Sequence, residues 1–193
     1  MLTTPEADVH IKGDPLGRSY TPDHVALAIV QRLRTLWPAG QPLSIVEPCA
    51  GGGAFLRAAL EGPVRGLLAR DISITAPALA DTRWNAEVRD ATASVGDGGW
   101  DLAVTNPPFG KAVGQRTTLA IVDRMREGAR VAAVLVPLGY LGQQGWADRV
   151  AFCRHVWPIV GRVWEHEREM VVLVWDRRRD GGVTTAFDLL EIG

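Results

Sequence analysis

The sequence predicts an α/β fold, in which a mostly parallel sheet carries helices on both of its faces. Short apolar runs alternate with amphipathic stretches over most of the chain, which is the pattern of parallel strands joined by helices. The last apolar runs follow one another without a helix between them, so we expect those strands to pair antiparallel. The length of 193 residues suits one domain with a sizeable core.

Each element has its own local signal. The first helix is expected over 22–37, because Thr21 and Pro22 are typical of an N-cap and a first helical residue, and apolar residues follow at helical spacing. The other expected helices cover 53–60, 77–82, 115–127 and 144–156. The expected strands cover 43–47, 64–71, 84–89, 101–105, 130–136, 160–165, 170–176 and 183–190.

Residues 1–19 are polar and weakly patterned, and we expect them to form a flexible N-terminal arm. They lack the apolar run of a signal peptide. Residues 20–193 are expected to form a single domain. No stretch of the sequence approaches the roughly 18 apolar residues of a membrane span, so we expect no membrane contact.

Charge and cysteine content narrow the classes of function. The formal net charge is −1, so no global basic field draws the protein to a polyanion. A contact with nucleic acid must then come from a local patch or from a partner. The two cysteines, Cys49 and Cys153, are far apart and give neither a disulfide framework nor zinc-ligand spacing. We therefore expect a reducing, cytoplasmic location and no metal.

A glycine-rich turn follows the first expected strand. Residues 44–56 read Ser-Ile-Val-Glu-Pro-Cys-Ala-Gly-Gly-Gly-Ala-Phe-Leu. Glycines let the backbone approach a ligand closely and adopt positive φ, and the helix start that follows offers unpaired N–H groups. Glu47 at the strand end disfavours a phosphate ligand and favours one with an ammonium group. The pattern matches neither the P-loop nor the dinucleotide fingerprint, and a purely structural tight turn is the alternative.

Two carboxylates come at the ends of the next strands. Asp71 ends the second strand, where a carboxylate can accept hydrogen bonds from ribose hydroxyls. A cap on the following helix is the alternative. Asp90 follows the third expected strand. A ligand-binding carboxylate and an ordinary solvated loop residue are equally compatible with this position.

The segment Asn106-Pro107-Pro108-Phe109 follows the fourth expected strand and is the most specific signal in the chain. Two prolines stiffen the loop, because they fix φ and donate no hydrogen bond. An aromatic amino nitrogen is a poor nucleophile, since its lone pair is delocalised into the ring. The Asn106 side-chain oxygen and the Pro107 carbonyl can hold its two hydrogens and favour a pyramidal nitrogen. Phe109 would stack on the flat target group.

These segments resemble two motifs of class I S-adenosylmethionine-dependent methyltransferases that act on amino groups. Residues 47–55, Glu-Pro-Cys-Ala-Gly-Gly-Gly-Ala-Phe, are similar to motif I, and 106–109 are similar to motif IV of N6-adenine and N4-cytosine methyltransferases. The resemblance covers about 20–190. It implies a Rossmann-like sheet of seven strands, mostly parallel, with the last paired strand reversed. It also implies a methyltransferase catalytic domain over 20–193, with no separate target-recognition domain.

The resemblance implies S-adenosylmethionine as the cofactor and assigns roles to residues. Tyr20 and Thr21 resemble motif X, near the methionine end of the cofactor, although Thr21 as a plain helix cap explains the same letters. Asp71 would bind the cofactor ribose and Asp90 the adenine amino group. The implied cofactor-binding residues are Tyr20, Thr21, Glu47, Pro48, Cys49, Ala50, Gly51, Gly53, Phe55, Asp71, Ile72, Asp90, Ala91 and Asn106. The implied catalytic residues are Asn106, Pro107, Pro108 and Phe109.

Nucleic acid is the expected substrate, with DNA favoured over RNA and adenine N6 as the leading target. Short linkers leave no room for a target-recognition domain, so recognition is relaxed, supplied by a partner subunit, or directed at RNA. The alternatives are an RNA adenine-N6 or guanine-N2 methyltransferase, a protein glutamine-N5 methyltransferase, and a non-catalytic cofactor-binding subunit.

Overall fold

The computed structural model describes residues 20–95, 98–109, 114–161, 163, 169–178 and 185–192. The expected N-terminal arm, 1–19, lies outside the described residues. The helices are α1 (Asp23–Arg34), α2 (Ala54–Ala59), α3 (Gln115–Gly128) and α4 (Ala147–Val150), with 3-10 turns at Pro77–Ala80 and Leu138–Tyr140. Within the described ranges, no helix is both long and apolar enough to cross a membrane.

Nine strands form the described sheet. They are β1 (Leu43–Glu47), β2 (Val64–Asp71), β3 (Asn85–Val88), β4 (Trp100–Thr105), β5 (Ala129–Pro137), β6 (His155–Val160), β7 (Met170–Asp176), β8 (Ala186–Phe187) and β9 (Leu190–Glu191). Their order is β3-β2-β1-β4-β5-β7-β6-β8, and β9 also pairs with β6. The α/β class and the mostly parallel sheet are confirmed, but the expected number of seven strands is wrong.

The reversed strand is β7, which pairs antiparallel with both β5 and β6. The expected reversal is therefore confirmed for this part of the sheet. The expectation is wrong for the chain end, because β8 and β9 both run parallel to β6. The expected single strand over 183–190 is two short pieces along one edge, with Asp188 between them. The side chain of Asp188 forms an ion pair with Arg32 of α1.

Two expected boundaries moved because sheet pairing overrides local pattern. The expected helix over 144–156 shrinks to α4, and β6 begins at His155 instead of 160. His155 pairs with Val174 and Val156 with Leu173, so the sheet takes the last residues of the expected helix. α1 begins at Asp23, one residue later than expected, and its first turn has no side-chain cap, so Thr21 does not cap it.

The two faces of the sheet carry separate apolar layers. α1 and α2 pack on one face through buried residues such as Ile29 and Phe55, and α3 packs on the other through Val122 and Met125. Helices on both faces are thus confirmed. The carboxyl ends of β1 to β4 lie together at one edge, because these strands are parallel neighbours. Ligands bind beyond this edge in sheets of this type.

Candidate active site

The glycine turn between β1 and α2 needs glycine at two positions. Gly51 has φ of +47° and Gly53 has φ of +78°, both in the left-handed region that L-residues avoid. A Cβ atom at Gly51 would lie 2.9 Å from Cε1 of Tyr20, and one at Gly53 would lie 3.1 Å from the Trp84 ring. The turn is closed by the Gly53 N–H, which donates to the Ala50 carbonyl at 2.6 Å.

The turn is held from the β2–β3 connection. The Asp71 carboxylate, only 7% exposed, accepts from the Gly51 N–H at 2.9 Å and from the Ser73 N–H at 2.9 Å. The Ala78 N–H donates to the Gly51 carbonyl at 3.0 Å, and the Trp84 indole donates to the Ala78 carbonyl at 2.8 Å. Asp71 therefore fixes the glycine turn. It does not cap the following 3-10 turn, which has no side-chain cap.

A cleft of about 780 Å³, including its open mouth, lies at this edge of the sheet. Most residues that the sequence singled out line it: Tyr20, Pro48, Cys49, Gly51, Asp71, Ile72, Asp90, Ala91, Asn106, Pro107 and Pro108. Residues from five segments, far apart in sequence, thus meet at one cavity.

Two residues of the cleft wall were missed by the sequence analysis. Thr117 and Ile121 of α3 also line the cleft. They are four residues apart and so share one helix face. The sequence did hold a signal for these two residues, because the expected helix follows the Asn-Pro-Pro-Phe segment closely and must begin near it. Which face of that helix meets the cleft depends on tertiary packing.

Six of the singled-out residues lie outside the cleft lining: Thr21, Glu47, Ala50, Gly53, Phe55 and Phe109. Phe55 is fully buried in the core beneath α2. Phe109 is 7% exposed, and its ring meets Tyr140 edge-on at 6.5 Å between centroids. The Phe109 ring belongs to the buried core cluster, and its stacking on a target group stays a prediction.

Glu47 ends β1 and lies next to Leu56 of α2. Its side chain is 3% exposed, and burial raises the pKa of this carboxyl well above its usual value. The positive charge of Arg57 lowers the same pKa but does not outweigh burial. Oε2 accepts no hydrogen bond from the described residues. Glu47 does not line the cleft, and its contact with a ligand ammonium group stays a prediction.

Asp90 lies at the rim of the cleft, beside Ala91 and near Ile72. Its Oδ1 accepts from both the N–H and the hydroxyl of Thr92 at 2.8 Å. These two bonds hold the carboxylate in one orientation. Oδ2 accepts no bond from the described part of the chain and is available to a ligand donor. Asp90 can therefore hold its own turn through Oδ1 and still accept a hydrogen bond from a ligand through Oδ2.

The Asn106-Pro107-Pro108-Phe109 segment, here called the NPPF loop, leaves the carboxyl end of β4. The Pro108 carbonyl accepts from the Thr118 hydroxyl at 2.7 Å. The Pro107 carbonyl accepts no hydrogen bond from the described residues, so an acceptor stays available beside Asn106. At the base of the loop, the Thr105 hydroxyl oxygen lies 3.5 Å from the Cys49 carbonyl, which ties the loop to the glycine turn.

The charge of the cleft selects among ligands. Asp71 and Asp90 line it, and among the described residues no Lys, Arg or His does. Such a wall favours a cationic ligand over a polyphosphate, since a carboxylate attracts positive charge. Cys49 adds no charge, because burial and the nearby Asp71 raise the pKa of its thiol. In the described ranges, no group of three or more His, Cys, Asp or Glu side chains could hold a metal.

Known proteins resemble the chain in structure and not in sequence. No protein-family model and no curated protein matches it. A class I S-adenosylmethionine-dependent methyltransferase from Listeria monocytogenes superposes with a TM-score of 0.76 at 14% identity, covering 92% of this chain and 68% of that one. A modification subunit of a type I restriction enzyme from Vibrio vulnificus YJ016 gives 0.66 at 16% identity, covering 92% of this chain and 48% of that subunit.

An RNA methyltransferase from Pyrococcus horikoshii also superposes, with a TM-score of 0.61 at 13% identity over 83% of this chain and 87% of that one. The chain thus spans about half the length of the restriction-enzyme subunit and most of the RNA enzyme. At these identities the likeness concerns the fold. The chain has the Rossmann-like fold of class I methyltransferases.

Proposed function

We propose that the chain is an S-adenosylmethionine-dependent methyltransferase that acts on an exocyclic amino group, with adenine N6 in DNA as the leading target. One observation carries the proposal: an acidic, otherwise apolar cleft with a glycine turn opens directly onto the NPPF loop. The acidic cleft suits a cationic cofactor, and the NPPF loop suits an amino group as the acceptor of the methyl.

The cleft residues fit S-adenosylmethionine. Asp71 lies where a carboxylate can accept from the ribose hydroxyls, and Oδ2 of Asp90 can accept from the adenine amino group. Ile72, Ala91 and Ile121 provide apolar surface for a flat ring. Gly51 lets the backbone approach the amino-acid end. When bound, the cofactor supplies an electrophilic methyl group on a sulfonium.

The NPPF loop would prepare the nucleophile. The Asn106 side-chain oxygen and the Pro107 carbonyl each accept one amino hydrogen. This arrangement draws the nitrogen out of conjugation and points its lone pair into the cleft. No general base is needed beforehand, because the amino proton becomes acidic only as the new bond forms, and it then leaves to solvent. The prolines restrict the backbone that carries both acceptors, because they fix φ and donate no hydrogen bond.

The choice of DNA adenine rests on the resemblance of the NPPF loop to motif IV, and likeness to a restriction modification subunit agrees with it. A paired target base must be flipped out, at a cost of a few kcal/mol, and less for single strands. Because the chain spans about half of that subunit, a partner is the proposed source of target recognition. A cytoplasmic location and the absence of a metal stay predictions.

RNA is the second candidate substrate, since the fold of the archaeal RNA enzyme matches most of both chains. Glutamine-N5 methylation of protein uses the same acceptor pair, and a non-catalytic role as a cofactor-binding subunit is the remaining alternative. Labelled S-adenosylmethionine, incubated with separate pools of DNA, RNA and protein, separates these substrates after mass analysis of nucleosides and peptides. N6-methyladenine in the DNA pool is the expected product.

The matched pair of variants is Asn106→Ala and Asn85→Ala. Asn85 is exposed on the edge strand β3 and serves as the control. Asn106→Ala should lower methyl transfer at least a hundredfold while calorimetry gives a cofactor Kd within about threefold of wild type. Asn85→Ala should change neither. Transfer that survives Asn106→Ala would refute the assigned role, and loss of cofactor binding as well would mean that the loop is structural.

A further inference from the structure

The NPPF loop has one backbone dihedral that its own sequence leaves unrestrained. The proline rings fix φ at Pro107 and Pro108. A following proline restricts ψ at Asn106 and at Pro107 to extended values. ψ at Pro108 has no such restriction, because Phe109 follows it. The direction of the Pro108 carbonyl, and with it the course of the chain into Phe109, must be set from outside the loop.

Thr118 supplies that restraint. Its hydroxyl donates to the Pro108 carbonyl at 2.7 Å, and the residue is fully buried in α3. A buried hydroxyl is costly unless it is hydrogen-bonded, and a valine of the same shape would pack there without that cost. The hydroxyl thus has its one described partner in the loop beside the proposed catalytic acceptors.

The helix that carries Thr118 is itself held firmly. Val122 and Met125, fully buried, pack α3 against the sheet, and Asp123 forms an ion pair with Arg149 of α4. At the other end of the loop, Thr105 belongs to β4, which pairs with β5. The loop is therefore clamped between a strand and a fixed helix, with Asn106 and Pro107 between the clamps.

We infer that Thr118 is a positioning residue for methyl transfer: its hydrogen bond turns the Pro108 carbonyl away to α3 and leaves the Pro107 carbonyl and Asn106 as the pair that faces the target amino group. This inference rests on the proposed function. It assigns Thr118 no contact with substrate or cofactor. Loss of the hydroxyl should then disturb the geometry of transfer more than the binding of either reactant.

The test compares Thr118→Val, Thr118→Ser and Val122→Ala in the full chain. Thr118→Val keeps the shape and removes the donor, and it should lower kcat about tenfold to a hundredfold, the effect expected of a small misplacement. The cofactor Kd and the KM for DNA should stay within about threefold of wild type. Thr118→Ser keeps the donor and should restore most of kcat.

Val122→Ala controls for general weakening of α3, because it removes buried surface one turn further along the same helix. It should lower the melting temperature while leaving kcat near wild type well below that temperature. Three results would each overturn the inference while the proposed function stands. They are a wild-type kcat in Thr118→Val, a Thr118→Ser variant as slow as the valine variant, and an equal loss of kcat in Val122→Ala. A wild-type chain that binds the cofactor and transfers no methyl would overturn the proposed function, and this inference with it.

Discussion

Replacing Gly51 by alanine tests the link between the glycine turn and the cleft. The new Cβ would lie 2.9 Å from Cε1 of Tyr20, and Tyr20 itself lines the cleft. The ring must therefore move, or the turn must change its backbone. Either adjustment alters the wall against which the cofactor is proposed to bind.

The magnitude follows from the backbone and the contact. A left-handed conformation costs an L-residue about 1–2 kcal/mol, and Gly51 has φ of +47°. Moving the Tyr20 ring adds to this, so a total near 2 kcal/mol is expected. For a domain of this size, each kcal/mol lowers Tm by about 2–4 °C. The variant should melt about 4–8 °C below wild type, and the cofactor Kd should rise about tenfold.

Gly52→Ala is the matched control. Its φ lies outside the left-handed region, and a Cβ there would meet the Tyr20 ring at 3.7 Å, an ordinary contact. Thermal melting gives the Tm of both variants, and titration calorimetry gives their cofactor Kd. Equal losses at the two positions, or a Gly51→Ala protein with the melting temperature and affinity of wild type, would refute the argument from φ and the Tyr20 contact.

Two further predictions concern buried carboxyls. Burial raises the folded pKa of Glu47 above its usual 4.5, so the unfolded chain loses this proton first, and stability falls as pH rises from about 4.5 toward the folded value. Glu47→Gln, measured by melting between about pH 4 and pH 8, should gain stability relative to wild type as pH rises; parallel curves would contradict this. The Gly51 and Ser73 N–H groups donate to different oxygens of the Asp71 carboxylate, and the single oxygen of an asparagine cannot replace both. Asp71→Asn should therefore lower the free energy of unfolding by about 1–3 kcal/mol. It should also weaken cofactor binding at least tenfold. Among the described residues, the Asp81 carboxylate is hydrogen-bonded by Arg83 alone, so Asp81→Asn should lose less than about 1 kcal/mol. A similar loss of stability in both variants would show that the Asp71 bonds contribute little.

Several elements could be predicted from the sequence because their signals are local. The bounds of β1 and β2 agree with the expected 43–47 and 64–71, since a short apolar run between turn residues has few alternatives. The start of α3 at Gln115 also agrees. The glycine turn and the NPPF loop were placed at strand ends for the same reason, and parallel order brings those ends together.

Other features depend on partners distant in the chain. Pairing with β7 turned residues of the expected helix over 144–156 into β6, and the single strand expected over 183–190 follows β6 in two pieces. Phe109 lies in the buried core cluster, with Tyr140 packed against it. Such partners are chosen by packing among elements, which local propensity does not encode.

The sequence by itself determined which chemical groups the cleft could offer: a flexible turn, two carboxylates at strand ends and a proline-stiffened acceptor loop, each written in a few consecutive residues. Only the tertiary structure decided which of these groups face the cavity. It put the Asp71 carboxylate on the Gly51 N–H, buried Glu47, and brought Thr117, Thr118 and Ile121 of α3 beside the loop. The physical reason is that burial and side-chain direction are properties of elements packed against each other, whereas residue type and spacing belong to the chain alone.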